Sequence, residues 1–190
     1  MKKKIPKKIT LDVLEKSAIK YLEKYAASEY QLVSVLRRKI IKTSFFYKTN
    51  PEKDFELIDL ITNKFKKIGL INDKKFSENK VETYAQKGYS RKKITFNLKS
   101  KGISNQNIEY GMENLKLYFN DAELASALIY AKKKKILNFK EKENDQKKIQ
   151  KKLLQISQAG FSYDIAKKII NLNNEKEHLE LEKYAKYGDN

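Results

Sequence analysis

One short pattern occurs twice in the chain, as LKSKGIS at 98–104 and again 58 positions later as ISQAGFS at 156–162. In both copies an apolar residue lies four positions before a glycine, and a hydrophobic residue and a serine follow. A glycine at this position commonly ends a helix, because it adopts a positive φ without steric cost. The serine is a typical N-cap for the next helix. The pattern therefore predicts a helix, a tight turn and a further helix at both places.

An altered copy of the same pattern lies nearer the N-terminus. Ser28 precedes Leu36 by eight residues, as Ser90 precedes Leu98, but no turn glycine follows and the predicted turn is longer, at 43–50. We interpret the three copies as three related three-helix repeats in tandem. The alternative is that unrelated helix–turn–helix segments resemble one another by coincidence.

Apolar residues recur at helical spacing through most of the chain, which predicts where the helices lie. Ser28 and Gln31 form a capping-box pattern, and residues 50–51 (Asn-Pro) predict the start of a third helix. Asn120, with Glu123 three positions later, predicts the cap of a seventh helix. The inward face of the first helix is predicted to contain Leu14, Ala18, Tyr21, Leu22 and Tyr25.

These signals predict an all-α fold of three tandem, helix-turn-helix-like repeats with an elongated arrangement. The repeats occupy 10–70, 71–119 and 120–173, preceded by a basic N-terminal arm at 1–9 and followed by a C-terminal tail at 174–190. Because the connections between repeats are short, each repeat contacts mainly its neighbours, and we expect an extended monomer.

The composition favours the same fold and indicates the charge of the partner. Six glycines and two prolines in 190 residues are too few for the many tight turns of an all-β protein. The formal net charge of +18 predicts a polyanionic partner. Only three of the 42 basic residues are arginine, a skew that AT-rich coding would also produce. Coding bias is therefore an alternative explanation for part of the charge.

The residue inventory argues against an enzyme and against a bound cofactor. The chain has no cysteine and one histidine, His178, which excludes disulfides, thiolate zinc sites and histidine-based triads. It has no glycine-rich phosphate loop. No segment approaches the roughly 18 apolar residues of a membrane span. We therefore expect a cytoplasmic protein that is not an enzyme, binds no cofactor or metal and does not enter a membrane.

Three blocks of the sequence carry a family resemblance. The most specific is central: IGLINDKKF at 68–76, GYSRKKI at 88–94 and KGI at 101–103. It resembles the Gly-Leu-x-Asp-Asp…Phe run and the basic helix ending in Lys-Gly-Ile of the RecX family. Residues 18–39 and 153–164 resemble the family's first and third repeats. The similarity covers residues 10–172. The chain departs from the family in the missing first turn glycine, an extra Lys-Glu stretch at 140–145 and the tail after residue 173.

This resemblance implies regulation of the RecA recombinase. RecX-like proteins consist of three tandem three-helix repeats that lie in the groove of the RecA–DNA filament. They limit filament extension and so suppress strand exchange, ATP turnover and co-protease activity, and they also bind single- and double-stranded DNA. The expected partners are thus the RecA filament and DNA, and the expected context is DNA repair, homologous recombination and the SOS response.

Two other functions stay open on the residues alone. One is a sequence-specific regulator that reads the major groove with a helix–turn–helix. The other is a helical-repeat scaffold for acidic proteins, with a charge that reflects coding bias.

Basic residues at three places are candidate contacts with DNA or RecA. Residues 91–93 occupy the first turn after the Ser90 cap, where free backbone N–H groups favour a phosphate but cations oppose the helix dipole. Residues 37–39 are predicted near a helix C-terminus, where cations are favoured anyway. For both, the alternative is a solvated basic surface. The full candidate set is Arg37, Arg38, Lys39, Arg91, Lys92, Lys93, Lys99, Lys101, Lys147, Lys148, Lys151 and Lys152.

Three aromatic residues near this set are candidates for base stacking, namely Tyr84, Tyr89 and Phe96. Aromatic residues at helical spacing belong more often to the core, so burial is the competing expectation for each of them.

Overall fold

The computed structural model describes residues 5–137, 139 and 145–188. Over these residues the chain forms ten α-helices and one 3-10 turn, with no β-strand, which confirms the all-α class. The start of the basic arm (1–4), most of the extra Lys-Glu stretch (140–144) and the last two residues of the tail lie outside the described part.

The helices follow the order of the three predicted repeats. The first repeat contains α1 (Leu11–Leu22), α2 (Glu29–Tyr47) and α3 (Glu52–Lys67). The second contains α4 (Asp73–Ala85), α5 (Arg91–Lys99) and α6 (Asn105–Asn114), followed by the 3-10 turn Leu115–Leu117. The third contains α7 (Ala122–Lys133), α8 (Gln146–Gln158) and α9 (Tyr163–Ile170), and α10 (Glu175–Tyr187) comes last. The repeat boundaries themselves stay a prediction.

Local capping signals begin the helices as predicted. The hydroxyls of Ser28, Ser90, Ser104 and Ser162 each accept a hydrogen bond from the backbone N–H three residues later. Ser28 and Gln31 form a complete capping box. These bonds satisfy N–H groups that have no partner inside the helix.

Three helix boundaries were predicted wrongly. The segment 43–50 is not a turn, because α2 continues to Tyr47 with Thr43 and Ser44 buried. Lys48 then takes the left-handed conformation (φ 54°) that glycine adopts in the other repeats. Helix α1 ends at Leu22, so Tyr25 lies beyond it and is exposed. Asp121, not Asn120, caps α7 by accepting from the Leu124 N–H at 2.9 Å.

The chain divides into two compact units. Unit 1 contains Met1–Phe76 with Lys101–Ile103, and unit 2 contains Ser77–Ser100 with Ser104–Asn190. The core of unit 1 consists of Leu14, Ala18, Leu32, Leu36, Ile40, Ile58, Ile61, Phe65 and Ile71. One core of unit 2 contains Leu124, Ala127, Leu128, Ile136, Ile156, Phe161, Ala166, Ile169 and Ala185.

The tail is ordered over most of its length, a point that the sequence left open. Helix α10 packs on α7, and its Ala185 is fully buried. The backbone N–H groups of Asn120 and Asp121 donate to the carbonyls of Lys186 and Ala185 at 3.1 and 2.8 Å. The last turn of α10 thus provides acceptors for the segment that opens α7.

In each of the first two repeats, the serine that caps the second helix also bonds to the following repeat. We call this contact a serine junction. In unit 1 the Ser28 hydroxyl donates to the carbonyl of Lys101 at 2.6 Å. In unit 2 the Ser90 hydroxyl donates to the carbonyl of Ala159, also at 2.6 Å. Each of these carbonyls directly precedes a turn glycine, Gly102 or Gly160, with φ of 75° or 98°. The repeated sequence pattern therefore encodes a repeated contact between distant segments.

A carboxylate completes each serine junction. The backbone N–H of Glu29 donates to Asp73 Oδ1 at 2.9 Å in unit 1. The backbone N–H of Arg91 donates to the Glu123 carboxylate at 3.1 Å in unit 2. The first N–H of α2 and of α5 is therefore bonded to an acid from the next repeat in sequence.

Candidate nucleic-acid interface

The candidate cations lie on the second helix of each repeat or directly after it. Residues 37–39 lie on α2, residues 91–93 and Lys99 on α5, and Lys101 in the turn that follows α5. The remaining four, Lys147, Lys148, Lys151 and Lys152, lie on α8. All of the set except Lys101 therefore lies on equivalent helices, although the residues were selected as separate basic clusters.

On α2 the three cations are not near a helix end, as the sequence predicted, but in the middle of a 19-residue helix. The guanidinium carbon of Arg37 lies 4.7 Å from the centroid of the Phe55 ring, a cation–π contact with α3. Arg38 is exposed, and its Nε donates to the Ser34 carbonyl at 3.3 Å. Lys39 is half-buried. Arg37 and Arg38 are thus both exposed, and Arg37 in addition stacks on α3.

On α5 the helix N-terminus already has an internal anion. The Arg91 N–H bonds to Glu123, and the Arg91 guanidinium forms an ion pair with Glu109. Burial raises the pKa of the Glu123 carboxyl, while the hydrogen bond and positive charge of Arg91 act in the opposite direction. A phosphate at this helix end would therefore have to displace a carboxylate that Arg91 stabilises.

The lysines of α5, unlike Arg91, are not bonded to these carboxylates. Lys92 is exposed, and the amino group of Lys93 lies 4.0 Å from the centroid of the Tyr89 ring. Lys99 is exposed one turn beyond Phe96. Ile94 and Leu98 are buried on the opposite side of the helix. The side of α5 opposite to Ile94 and Leu98, from Lys92 in its first turn to Lys99 at its end, thus presents accessible charge.

The other candidate lysines differ in exposure. Lys101 is half-buried beside Gly102, and its carbonyl is the acceptor of the first serine junction. On α8, Lys147, Lys148 and Lys151 are exposed and Lys152 is half-buried. Contact of these residues with a partner stays a prediction.

The three aromatic candidates separate into two groups. Tyr84 and Tyr89 stack on each other with ring centroids 5.3 Å apart and an interplanar angle of 14°. Burial raises the pKa of the Tyr84 hydroxyl. Phe96, in contrast, is 72% exposed on the outer side of α5, contrary to the expectation of a core position.

Sequence reasoning missed the most exposed aromatic residue, Phe45, which is 87% exposed on α2. A signal was present: Phe45 follows Arg38 by seven residues, so both lie on the face opposite to Leu36 and Ile40. The basic residues and this phenylalanine therefore share one outward surface.

Nothing in the described residues suggests a metal centre or a membrane span. No group of three or more His, Asp or Glu side chains there is arranged to hold a metal ion. In the same residues, no helix is both long enough and apolar enough to cross a bilayer.

Fold and surface together define a class: an all-helical tandem-repeat protein whose second helices carry exposed cations. Residues 72–112, which include α4, α5 and most of α6, match the family description "RecX, second three-helix domain". The chain is 28% identical over 171 residues to the regulatory protein RecX of Myxococcus xanthus (strain DK1622), and the match covers 90% of each chain. It is 32% identical over 126 residues to the regulatory protein RecX of Clostridioides difficile (strain 630), covering 65% of this chain and 57% of that relative.

A solved structure is similar as well. The crystal structure of RecX from Lactobacillus salivarius superposes with a TM-score of 0.63 at 26% identity, covering 84% of this chain and 94% of that one. In both sequence and fold, the chain is thus similar to regulatory proteins of the RecX family.

Proposed function

We propose that this protein regulates a RecA recombinase by binding the RecA–DNA filament, and that it acts as a cytoplasmic monomer without catalysing a reaction. Similarity to RecX regulatory proteins in sequence and in fold is the observation that carries the proposal. The exposed cations on α2, α5 and α8 support it, since a filament of protein and DNA is an extended polyanion.

The spacing of the cations suits a partner that extends along the helices. Lys92 and Lys99 are seven residues apart on α5, which is about 10 Å along a helix axis. Lys147 and Lys151 are four residues apart on α8, or about 6 Å. Such rows contact several phosphates or acidic side chains at once and need no base-specific contact.

Reversal of two lysines on α5 tests the proposal. In Lys92→Glu with Lys99→Glu, we expect normal folding, because both side chains are exposed. Suppression of the recombinase's DNA-dependent ATP turnover should weaken several-fold, and co-sedimentation with preformed filaments should weaken in parallel. The charge-matched control is Lys176→Glu with Lys183→Glu on the acidic helix α10, both exposed, which should change neither measurement.

Arg91 is left unchanged in this test, since reversing it would place a third acid beside Glu109 and Glu123. A folded α5 variant that still suppresses ATP turnover as the parent does would contradict a role for this face.

The salt dependence of DNA binding separates the proposal from its two rivals. For a surface that contacts phosphates, the logarithm of the binding constant falls linearly with the logarithm of the salt concentration. The slope is about −0.7 per contacted phosphate for a single strand and about −0.9 for a duplex. Strong preference for one duplex sequence would instead indicate a helix–turn–helix regulator. A shallow slope, with no competition by single-stranded DNA for an acidic protein partner, would indicate a scaffold.

A further inference from the structure

The second helix of each repeat exposes at least one large apolar side chain among its cations, and α2 exposes Ile41 and Phe46 as well. Phe45 on α2 is 87% exposed, Phe96 on α5 is 72% exposed and Leu154 on α8 is 57% exposed. An apolar side chain that remains in water gains nothing from folding, because the hydrophobic contribution depends on area removed from solvent. Such residues also occur singly on other helices, but on α2, α5 and α8 each lies beside exposed cations, which makes it a candidate contact for a charged partner.

On α2 the apolar residue and two cations form one row. Arg38 and Lys42 precede Phe45 by seven and three residues, so all three lie on the same face of the helix. No Asp or Glu occurs in the sequence between residues 30 and 47, and two of the three arginines of the protein lie at 37 and 38. This face is therefore basic as well as aromatic.

The N-terminal segment adds charge at the end of the same helix. The Tyr47 hydroxyl donates to the Pro6 carbonyl at 2.7 Å, which holds the segment against α2. The Lys8 amino group lies 5.8 Å from the centroid of the Tyr47 ring. Lys8 thus adds a cation at the end of α2 that contains Phe45, on the side of Tyr47.

The other two repeats show the same combination. Phe96 lies between Lys92, four residues earlier, and Lys99, three residues later. On α8, Lys147 and Lys151 precede Leu154 by seven and three residues, the spacing of Arg38 and Lys42 before Phe45. Two of the three helices therefore offer an aromatic ring and the third an aliphatic side chain.

A protruding ring between cations suits a single nucleic-acid strand. An unpaired base offers a flat π-face that stacks on an aromatic side chain, while nearby lysines and arginines contact the adjoining phosphates. A duplex hides these base faces inside its stack. A protein partner with an acidic surface would satisfy the cations, but it would need a preformed pocket to cover a ring that projects from a convex helix.

We propose that the outer faces of α2 and α5 bind single-stranded nucleic acid, with bases stacked on Phe45 and Phe96 and phosphates held by Arg38, Lys42, Lys92 and Lys99. The inference rests on the proposed function, because that function identifies the polyanionic partner as nucleic acid. Phe45 and Phe96 supply affinity that depends on the presence of bases, whereas the cations supply the salt-dependent part.

The test measures binding of a fluorescent oligo(dT) strand by anisotropy in the absence of recombinase, with inorganic polyphosphate as a base-free polyanion. Phe45→Ala and Phe96→Ala should each weaken oligo(dT) binding by about fivefold or more, and the double variant should weaken it further. Affinity for polyphosphate should stay at the parental value, as should the salt slope. Phe45→Trp should retain binding, and Phe45→Leu, which is apolar but not aromatic, should not.

The matched control is Tyr187→Ala on α10. Tyr187 is 73% exposed, similar to Phe96, but lies on a helix with four glutamates. We expect no loss of oligo(dT) affinity in this variant. Because the altered side chains are exposed, the thermal midpoint of each variant should match that of the parent.

Three results would overturn the inference: parental oligo(dT) affinity in the double variant, equal losses for oligo(dT) and polyphosphate, or a loss of recombinase suppression with oligo(dT) binding intact. The last result would assign these faces to a protein contact. If the stacking variants behave as expected but the parent has no effect on the recombinase, the proposed function fails and the nucleic-acid site stands.

Discussion

The two serine junctions use the same hydrogen bonds with opposite charges at the first helical residue. In unit 1 that residue is Glu29, and its N–H donates to another acid, Asp73. In unit 2 it is Arg91, and its N–H donates to Glu123. The serine-to-carbonyl bond is 2.6 Å long in both. The comparison shows that backbone geometry, not the charge at this position, defines the junction.

Each junction balances its charge with a residue from outside the pair. Glu29 and Asp73 repel each other, and Lys66 of α3 forms an ion pair with Glu29 at 2.8 Å. Arg91 attracts Glu123 and also pairs with Glu109 of α6. A third residue therefore makes either sign acceptable at the first helical position, whereas the serine and the turn glycine are the same in both junctions.

The largest effect is expected when a side chain is added at the turn glycine of the Ser28 junction. A Cβ at Gly102 would lie 2.3 Å from Tyr30 Cβ, which cannot move away because it is attached to the α2 backbone. Gly69 has the same φ of 75° but no atom within 4 Å of the added Cβ. Gly69→Ala should cost about 1 kcal/mol for the backbone conformation alone. Gly102→Ala should cost about 3 kcal/mol or more in urea denaturation. Equal costs would show that the close approach to Tyr30 relaxes.

Removal of the junction serines should give the next largest effect. Ser28→Ala and Ser90→Ala each lose a helix cap and a buried long-range hydrogen bond, so we expect a loss of about 2 kcal/mol in the free energy of unfolding. Ser104→Ala is the matched control. Its hydroxyl caps α6 but is exposed, and we expect a loss of about 1 kcal/mol. Similar values for all three serines would mean that the bonds to Lys101 and Ala159 add no stability.

Neutralising the first helical residue should change the stability of the protein differently at the two junctions. Arg91→Gln removes the ion pair with Glu109 and leaves Glu123 only the weaker attraction of Lys92, so it should destabilise by up to about 1 kcal/mol. Glu29→Gln removes an ion pair but also the repulsion with Asp73, and the effects should nearly cancel. Thermal unfolding of the two variants at low salt checks the difference. Equal losses of thermal stability in the two variants would contradict the idea that the opposite charges at this position have different effects.

The smallest effect concerns the pH dependence of Asp73. Burial raises the pKa of this carboxyl, so the folded state binds its proton more tightly than the unfolded state does. The ionised group therefore reduces stability above the folded pKa, and this cost disappears as the pH falls below the unfolded value. Asp73→Asn keeps an oxygen for the Glu29 N–H and removes the charge. We expect it to be slightly stabilising at pH about 7 and neutral at pH about 3 relative to the parent. A gain that is the same at both pH values would rule out the ionisation as its cause.

Features encoded within a few residues were predictable from the sequence. The Ser28 capping box and the turns at Gly102 and Gly160 depend on neighbours three or four positions away, and the structure contains all of them. The full length of α2 was not predictable, because it depends on tertiary burial of Thr43 and on the left-handed conformation of Lys48.

Features that depend on distant residues or on solvent exposure were missed. Nothing local to Arg91 indicates Glu123, a partner 32 positions away. Whether the C-terminal tail is ordered was not predicted, because the charged residues of α10 obscure the spacing of Leu181 and Ala185. These two residues pack on the core of unit 2. Phe45 was missed since hydrophobic periodicity identifies buried positions and gives no sign of an apolar residue on the outer face.

The serine junctions also fix an order of events during synthesis of the chain. Ser28 bonds to a carbonyl 73 residues downstream, and Ser90 to one 69 residues downstream. At a translation rate of about 5–20 residues per second, each helix waits roughly 4 to 15 s for its acceptor to leave the ribosome. Until then, each serine can cap only its own helix. The N-terminal repeat is thus made first but completed only when the second has been made, and the second only when the third has followed.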